Sequence, residues 1–233
     1  MRTELAPHGF EIYSVAMDTG GPDAVRRFVE AADPDFPVVI DRAHLLGELL
    51  GISNVPSGVW IDEDGMIVRP PETAFPSVPQ FSRQDPDDPA VQARMTEGEL
   101  ARLRTVRPLV SQMRIEPDAY VAALRDWVAN GKASRFALPP EEVIERSAPR
   151  RPEIARAAAS FELGQHLHRQ GHTADAIRWF RESHRLQPDN WTYKRQAWTL
   201  NDSSQGPTPQ YDGDWASDVR RSGPENYYQP ARL

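Results

Sequence analysis

Hydrophobic positions along the chain alternate between strand-like runs and helix-like stripes. Residues 10–17 (FEIYSVAM) read as a strand, and Asp18-Thr19-Gly20-Gly21 as a loop. Pro22 suits the first turn of a helix whose buried face is Val25, Phe28 and Val29, with Arg26, Arg27 and Glu30 outside. Val38-Val39-Ile40, closed by Asp41, is a continuous apolar run of the kind a fully covered parallel strand carries. Leu45, Leu46, Leu49 and Leu50 recur at helical spacing, and Gly51 stands at the stop. After a turn at Val55-Pro56, Gly58-Val59-Trp60-Ile61 and Met66-Ile67-Val68 flank Asp62-Glu63-Asp64-Gly65. That is a strand pair joined by a tight hairpin whose Gly takes positive φ.

Periodicity then fades. Residues 70–92 hold six prolines and read as an extended loop. Thr96 and Glu99 predict a capping box for a helix over 97–106. Arg107-Pro108 predicts an interruption, with Leu109, Val110 and Met113 in a second piece. Pro117 to Asn130 is the clearest helix of this region, with Tyr120, Val121, Leu124, Trp127 and Val128 on one face and Gly131 after it. Trp127 is read as a core anchor. Residues 132–152 read as a polar linker containing Pro139-Pro140 and Pro149. Two further helices follow, one beginning near Ser160 and one after Gly171 and closing at Leu186-Gln187-Pro188. Residues 191–200 form a third, and 201–233 read as irregular. Tyr211, Trp215, Tyr227 and Tyr228 are heavy aromatics for a free tail, so 214–221 are expected to dock while the last residues move freely.

Composition narrows the chemistry. The chain has 233 residues, 39% of them hydrophobic, which suffices for a globular core. A formal charge of −7 argues against a general nucleic-acid binder. Arg146, Arg150, Arg151 and Arg156 are read as a solvated helix entrance. No apolar run approaches the ~20 residues that span a bilayer. Residues 1–8 lack the basic-then-apolar plan of a signal peptide, so the sequence as written reads as cytoplasmic. The chain has no cysteine, which excludes disulfides, thiolate metal sites and thiol catalysis by its own residues.

The order of elements, with Pro56 directly before the hairpin's first strand, resembles the thioredoxin-like fold and within it the redoxin branch. That branch includes thiol-disulfide reductases and peroxiredoxin-like proteins. The residues that carry the likeness are Phe36-Pro37-Val38-Val39-Ile40-Asp41, Val55-Pro56-Ser57, and Ile61-Asp62 with Asp64-Gly65-Met66-Ile67-Val68. It extends over about residues 10–68, with 117–130 as the family's last helix. The resemblance implies that Pro56 is cis and lies against a Cys-x-x-Cys pair, and that Val55 offers N–H and C=O to an extended substrate chain. A structural turn is the alternative. It also implies a central first strand leading into the cysteine-bearing helix, and residues 1–8 supply at most the tail of that helix. Without that strand the sheet is expected to split into two groups with open edges. The expectation drawn is a chain truncated at its N-terminus, the alternative being a member that lost the strand.

A second resemblance concerns the C-terminal part. Leu163-Gly164, Leu167, Gly171, Ala176, Phe180 and Pro188 stand at the offsets of one 34-residue tetratricopeptide repeat. Ser160 and Ser183 depart from its pattern, and Phe161 comes one place late. Physically, Gly164 and Ala176 let two helices approach and Pro188 ends the second. One repeat cannot bury its own face. It is expected to pack on the thioredoxin-like domain, to cap a homodimer, or to grip an extended peptide.

The reading is therefore an α/β thioredoxin-like domain, incomplete at its N-terminus, over 1–131, with a Pro-rich insertion at about 70–116. A linker (132–152), a small all-α helical-repeat module (153–200) and a tail (201–233) follow. The family activity is thiol-disulfide exchange, which this cysteine-free chain cannot perform alone. The alternative is a redox-inactive module that binds a protein or peptide partner at Val55, Pro56 and Ser57 and through the helical repeat. No cofactor is implied. His166, His168, His172 and His184 lack ligand spacing and read as solvated surface. Asp62 and Asp64 read as turn residues, and no Ser/His/Asp triad, phosphate loop or dinucleotide fingerprint occurs.

Overall fold

The structure, a computed structural model, describes residues 1–147 and 151–233. It is a mixed α/β protein with a helical C-terminal part. The first half runs helix α1 (Arg2–Leu5), strand β1 (Ser14–Ala16), helix α2 (Pro22–Ala32), strand β2 (Val38–Ile40), helix α3 (Leu45–Leu50), then strands β3 (Ser57–Ile61) and β4 (Ile67–Thr73). The second half is helical: α4 (Gln80–Arg83), α5 (Pro89–Gln92), α6 (Glu97–Val110), α7 (Pro117–Asn130), α8 (Pro140–Arg146), α9 (Pro152–Arg169), α10 (Thr173–Leu186), α11 (Trp191–Asn201) and α12 (Trp215–Ser222).

Among the described residues the strands form two separate pairs. β1 lies parallel to β2, with Val15 opposite Val39, and β3 lies antiparallel to β4. Ser14 N–H donates to Pro37 and Ala16 C=O accepts from Asp41, so Val15, the residue between, turns its own N–H and C=O away from β2. One face of this pair is bare: Tyr13, Val15 and Val39 are exposed. Phe28 on α2 is also exposed, against the buried face read for it, and the Arg27 guanidinium lies over its ring at 4.6 Å. Of that stripe Val25 is buried and Val29 half-buried, so only its Phe28 edge stands open.

The hairpin turns at Gly65, whose φ is +78°, with Gly65 N–H donating to Asp62 C=O. β4 runs on through Pro70 and Pro71 rather than ending in a loop. Gly58 pairs with Glu72 and Trp60 with Arg69, so both prolines stand opposite Val59 alone. The resulting bulge accommodates two residues that cannot donate to a ladder.

Among the described residues two hydrophobic cores stand out. The smaller gathers Trp60, Val68, Tyr120, Leu124 and Phe136 under the hairpin. Trp60 stacks on Trp127 and donates its indole N–H to Tyr120 Oη at 3.2 Å. Residues 132–152 thus include a buried anchor, Phe136, and helix α8, for which Pro140 supplies the first turn; Pro149 and Arg150 lie outside the described residues. The larger core is mainly helical, with Tyr211, Tyr227 and Tyr228 of the tail added to it. It joins Leu109 and Met113 to Phe161, Ala176, Phe180, Trp191, Trp198, Val219, Tyr227 and Tyr228. Helix α6 is capped by Thr96 and Glu99 and runs unbroken through Pro108. Pro108 forfeits one bond near the C-terminal end, while Leu103 and Leu109 on either side are buried and the helix continues to Val110.

α9 begins at Pro152, eight residues before Ser160, and packs on α10. A Cβ on Gly164 would lie 2.7 Å from the Phe180 ring, so the two helices meet where only glycine fits. Ala176 and Phe180 are fully buried, Leu167 is half-buried, Pro188 follows the end of α10, and Leu163 faces outward. The tail is part of this core. Asp214 caps α12, and Tyr211, Tyr227 and Tyr228 are buried.

Candidate functional site

The loop before β3 carries the candidate site. The Val55-Pro56 bond is cis. Asn54 organises the loop: its Oδ1 accepts from Val55 N–H at 2.9 Å, its C=O accepts from Ser57 Oγ at 2.8 Å, and its Nδ2 donates to Tyr227 C=O at 2.7 Å. The Val55 N–H assigned to a bound chain is therefore already engaged. Pro56 C=O accepts from Ala74 N–H.

α11 seats this loop. Ser53 C=O accepts from Trp191 N–H at 2.7 Å and Thr192 N–H at 3.2 Å, two of the donors a helix N-terminus leaves without an intrahelical partner. Thr19 N–H donates to Gln196 Oε1 at 3.0 Å, holding the turn after β1 to the same helix. After β2, the Asp41 carboxylate accepts from Leu45, Leu46 and Gly47 N–H and so starts α3. His44, fully buried, lies edge-on to Phe161 at 5.0 Å and Tyr193 at 6.2 Å. The helical part thus packs over the carboxyl ends of β1 and β2 and against the Pro56 loop. In open α/β sheets that end is where ligands bind.

Beside the loop lies an open cleft of about 710 Å³. Asn54, Ser57 and the end of β4 line one side, Trp191, Lys194 and Asp218 the other, and the segment from Tyr227 onward closes the rim. Lys194 Nζ and Asp218 Oδ2 form a buried ion pair at 2.7 Å, and Arg221 also donates to Asp218. Arg146, read as part of a solvated entrance, instead bridges Glu142 and Glu72. Arg151 and Arg156 are exposed at the start of α9, with Arg156 reaching Glu182. Val55, Pro56 and Ser57 share this corner of the molecule, whereas Gly164, Ala176 and Phe180 lie inside the helical core and offer no open surface. Sequence reading missed Asn54, Arg69 and Glu72, and named Arg146 only as solvated surface. An Asn before Val-Pro, and Arg and Glu three apart in what turns out to be a strand, were the signals available.

His184 is not solvated surface. It lies against Trp198 and Tyr211, and its Nε2 is sealed from solvent without a hydrogen-bond partner. Burial pushes its pKa down from 6.5 to about 3, helped by the Lys194 ammonium. Burial lowers His44 too, against the opposing pull of Asp41 and the nearby Gln196 amide, although neither ring nitrogen meets hydrogen-bond geometry. The folded protein therefore keeps both rings neutral where the unfolded chain would take up protons. The contribution of His184 to stability is full above about pH 6.5 and declines as pH falls toward about 3, and that of His44 is likewise lost as pH falls below the ordinary histidine range. The slope is at most ~1.4 kcal/mol per pH unit for each histidine. Urea unfolding between about pH 7 and about pH 4 should show this loss, and His184→Gln should flatten it. An identical pH dependence in the variant would contradict the assignment.

Among the described residues no group of three or more His, Asp or Glu side chains is arranged to hold a metal ion. No described helix is long and apolar enough to cross a membrane. No protein-family model matches the chain, and no curated protein or solved structure matches it either.

Proposed function

We propose that the protein is thioredoxin-like, of the redoxin type, with a tetratricopeptide-like module packed on its substrate end. In this reading the chain, having no thiol, supplies the partner-holding part of a thiol-disulfide exchange site. The observation that carries the reading is the division of the strands. A parallel pair and an antiparallel pair follow in the order the resemblance implies, unjoined where its central strand would lie. The outward-turned backbone of Val15 and the bare face of Tyr13, Val15 and Val39 support it. A strand pairing between β1 and β3 would engage the Val15 N–H and C=O, and the Cys-x-x-Cys helix following it would bring a thiolate to the Pro56 loop.

Insulin reduction in the presence of dithiothreitol tests this. The chain alone is expected to add nothing to the dithiothreitol rate. A synthetic peptide comprising a thioredoxin-type first strand and its Cys-x-x-Cys helix should reduce insulin faster with the chain than without it, and its Ser-x-x-Ser version should not. Equal rates with and without the chain would sink the reading. A second reading, a redox-inert binding protein, is favoured by the open cleft beside the Pro56 loop. It predicts partner binding with no gain in insulin reduction.

A further inference from the structure

At the end of β4 the chain grips one of its own residues, Arg232, by the main chain on both sides. Arg232 N–H donates to Glu72 Oε2 at 3.2 Å, while Arg232 C=O accepts from Arg69 Nη2 and from Arg146 Nη1 at 3.2 Å. The three gripping side chains are fixed independently of what they hold. Arg69 donates to Phe136 C=O at 2.8 Å and to both Glu72 oxygens, Arg146 donates to Glu72 and Glu142, and all three are largely buried. Two guanidinium groups face two carboxylates, so the cluster is charge-balanced with or without an occupant. A carboxylate for an N–H beside guanidinium groups for a C=O is recognition of extended backbone, indifferent to side chain.

We infer that Glu72, Arg69 and Arg146 form a main-chain clamp for an extended polypeptide segment, which residues 229–233 of the chain itself fill in this structure. The segment enters past Pro230 along the rim of the cleft. The last firm anchors before it are Tyr227, whose C=O accepts from Asn54, and Tyr228, whose ring meets Phe75 at 4.9 Å. A partner strand would displace 229–233 without disturbing either aromatic. This inference stands on the clamp geometry and does not require the thioredoxin-like reading.

The test is fluorescence anisotropy with a labelled, end-blocked peptide of residues 229–233, on the full chain and on a chain lacking those residues. A tethered occupant competes at an effective concentration near millimolar, so the shortened chain should bind at least ~10-fold more tightly than the full chain. Arg232→Pro in the full chain, which removes the donated N–H, should likewise admit the probe. Within the probe, Ala at the Arg232 position should leave binding within about threefold, whereas Pro there should weaken it at least ~10-fold, as loss of a hydrogen bond to a charged group does. Equal binding by full and shortened chains, no binding by a folded shortened chain, or loss of the Ala probe would overturn the inference. So would unfolding on removal of residues 229–233, seen by circular dichroism, because the segment would then be part of the core.

Discussion

Replacing Phe161 by Ala is expected to lower stability by about 3–5 kcal/mol. Its ring is 1% exposed and stacks on Tyr193 at 4.2 Å, tilts against Phe180 at 5.5 Å and receives the edge of His44 at 5.0 Å. These neighbours come from α11, α10 and the turn before α3, so the cavity would open where the helical part meets the α/β part. Each is itself held: Phe180 against Gly164, His44 at the start of an Asp41-capped helix. Little collapse is therefore available, and the effect should lie toward the upper end of that range. The thermal midpoint should drop by about 10 °C. Phe28→Ala serves as control: that ring is 61% exposed, and its loss should change stability by less than about 0.5 kcal/mol. Thermal and urea unfolding followed by circular dichroism check both.

Asp218→Ala should be nearly as damaging, at about 3–5 kcal/mol, because it strands the Lys194 ammonium in a site that is 8% exposed. The reverse change is milder. Lys194→Met leaves Asp218 still held by the Arg221 guanidinium, which is 68% exposed and can follow it. Lys194 also lies over the Trp191 ring at 5.1 Å, a contact that Met keeps as packing. Removing both charges together should restore much of the loss, since apolar replacements for a buried pair are often nearly neutral. A double-mutant cycle by urea unfolding measures this, and additive single effects would contradict a coupled pair.

Local pattern was legible wherever one element decides its own form. α7 has the bounds its apolar stripe and flanking Pro117 and Gly131 predict, and the Thr96–Glu99 capping box is present. The hairpin turns at Gly65, where positive φ is needed. What escaped the sequence was tertiary. Pro108 reads as a break, yet burial on both sides of it outweighs one lost hydrogen bond. Phe136 sits in polar surroundings in sequence and in a Trp60-lined core in space. Phe28 belongs to an amphipathic stripe of which Val25 is buried and Val29 half-buried, so periodicity named a buried face that is open at Phe28. At the site, Pro56 was visible as a proline before a strand. Its surroundings were not, because Asn54, Trp191, Tyr227 and the Arg69–Glu72–Arg146 clamp come together only through folding. The division into two strand pairs is the arrangement expected from the resemblance if its first strand is absent, and the helical cover over the carboxyl ends of β1 and β2 was one of three arrangements left open.

The central claim is that β1 and β3 are the two flanks of one incomplete sheet. Amide hydrogen exchange with and without the Ser-x-x-Ser strand–helix peptide tests it most directly. Val15 and the β3 amides turned away from β4 should gain protection together when the peptide binds, because one strand would pair with both. Protection unchanged, or gained on one flank alone, would contradict the account.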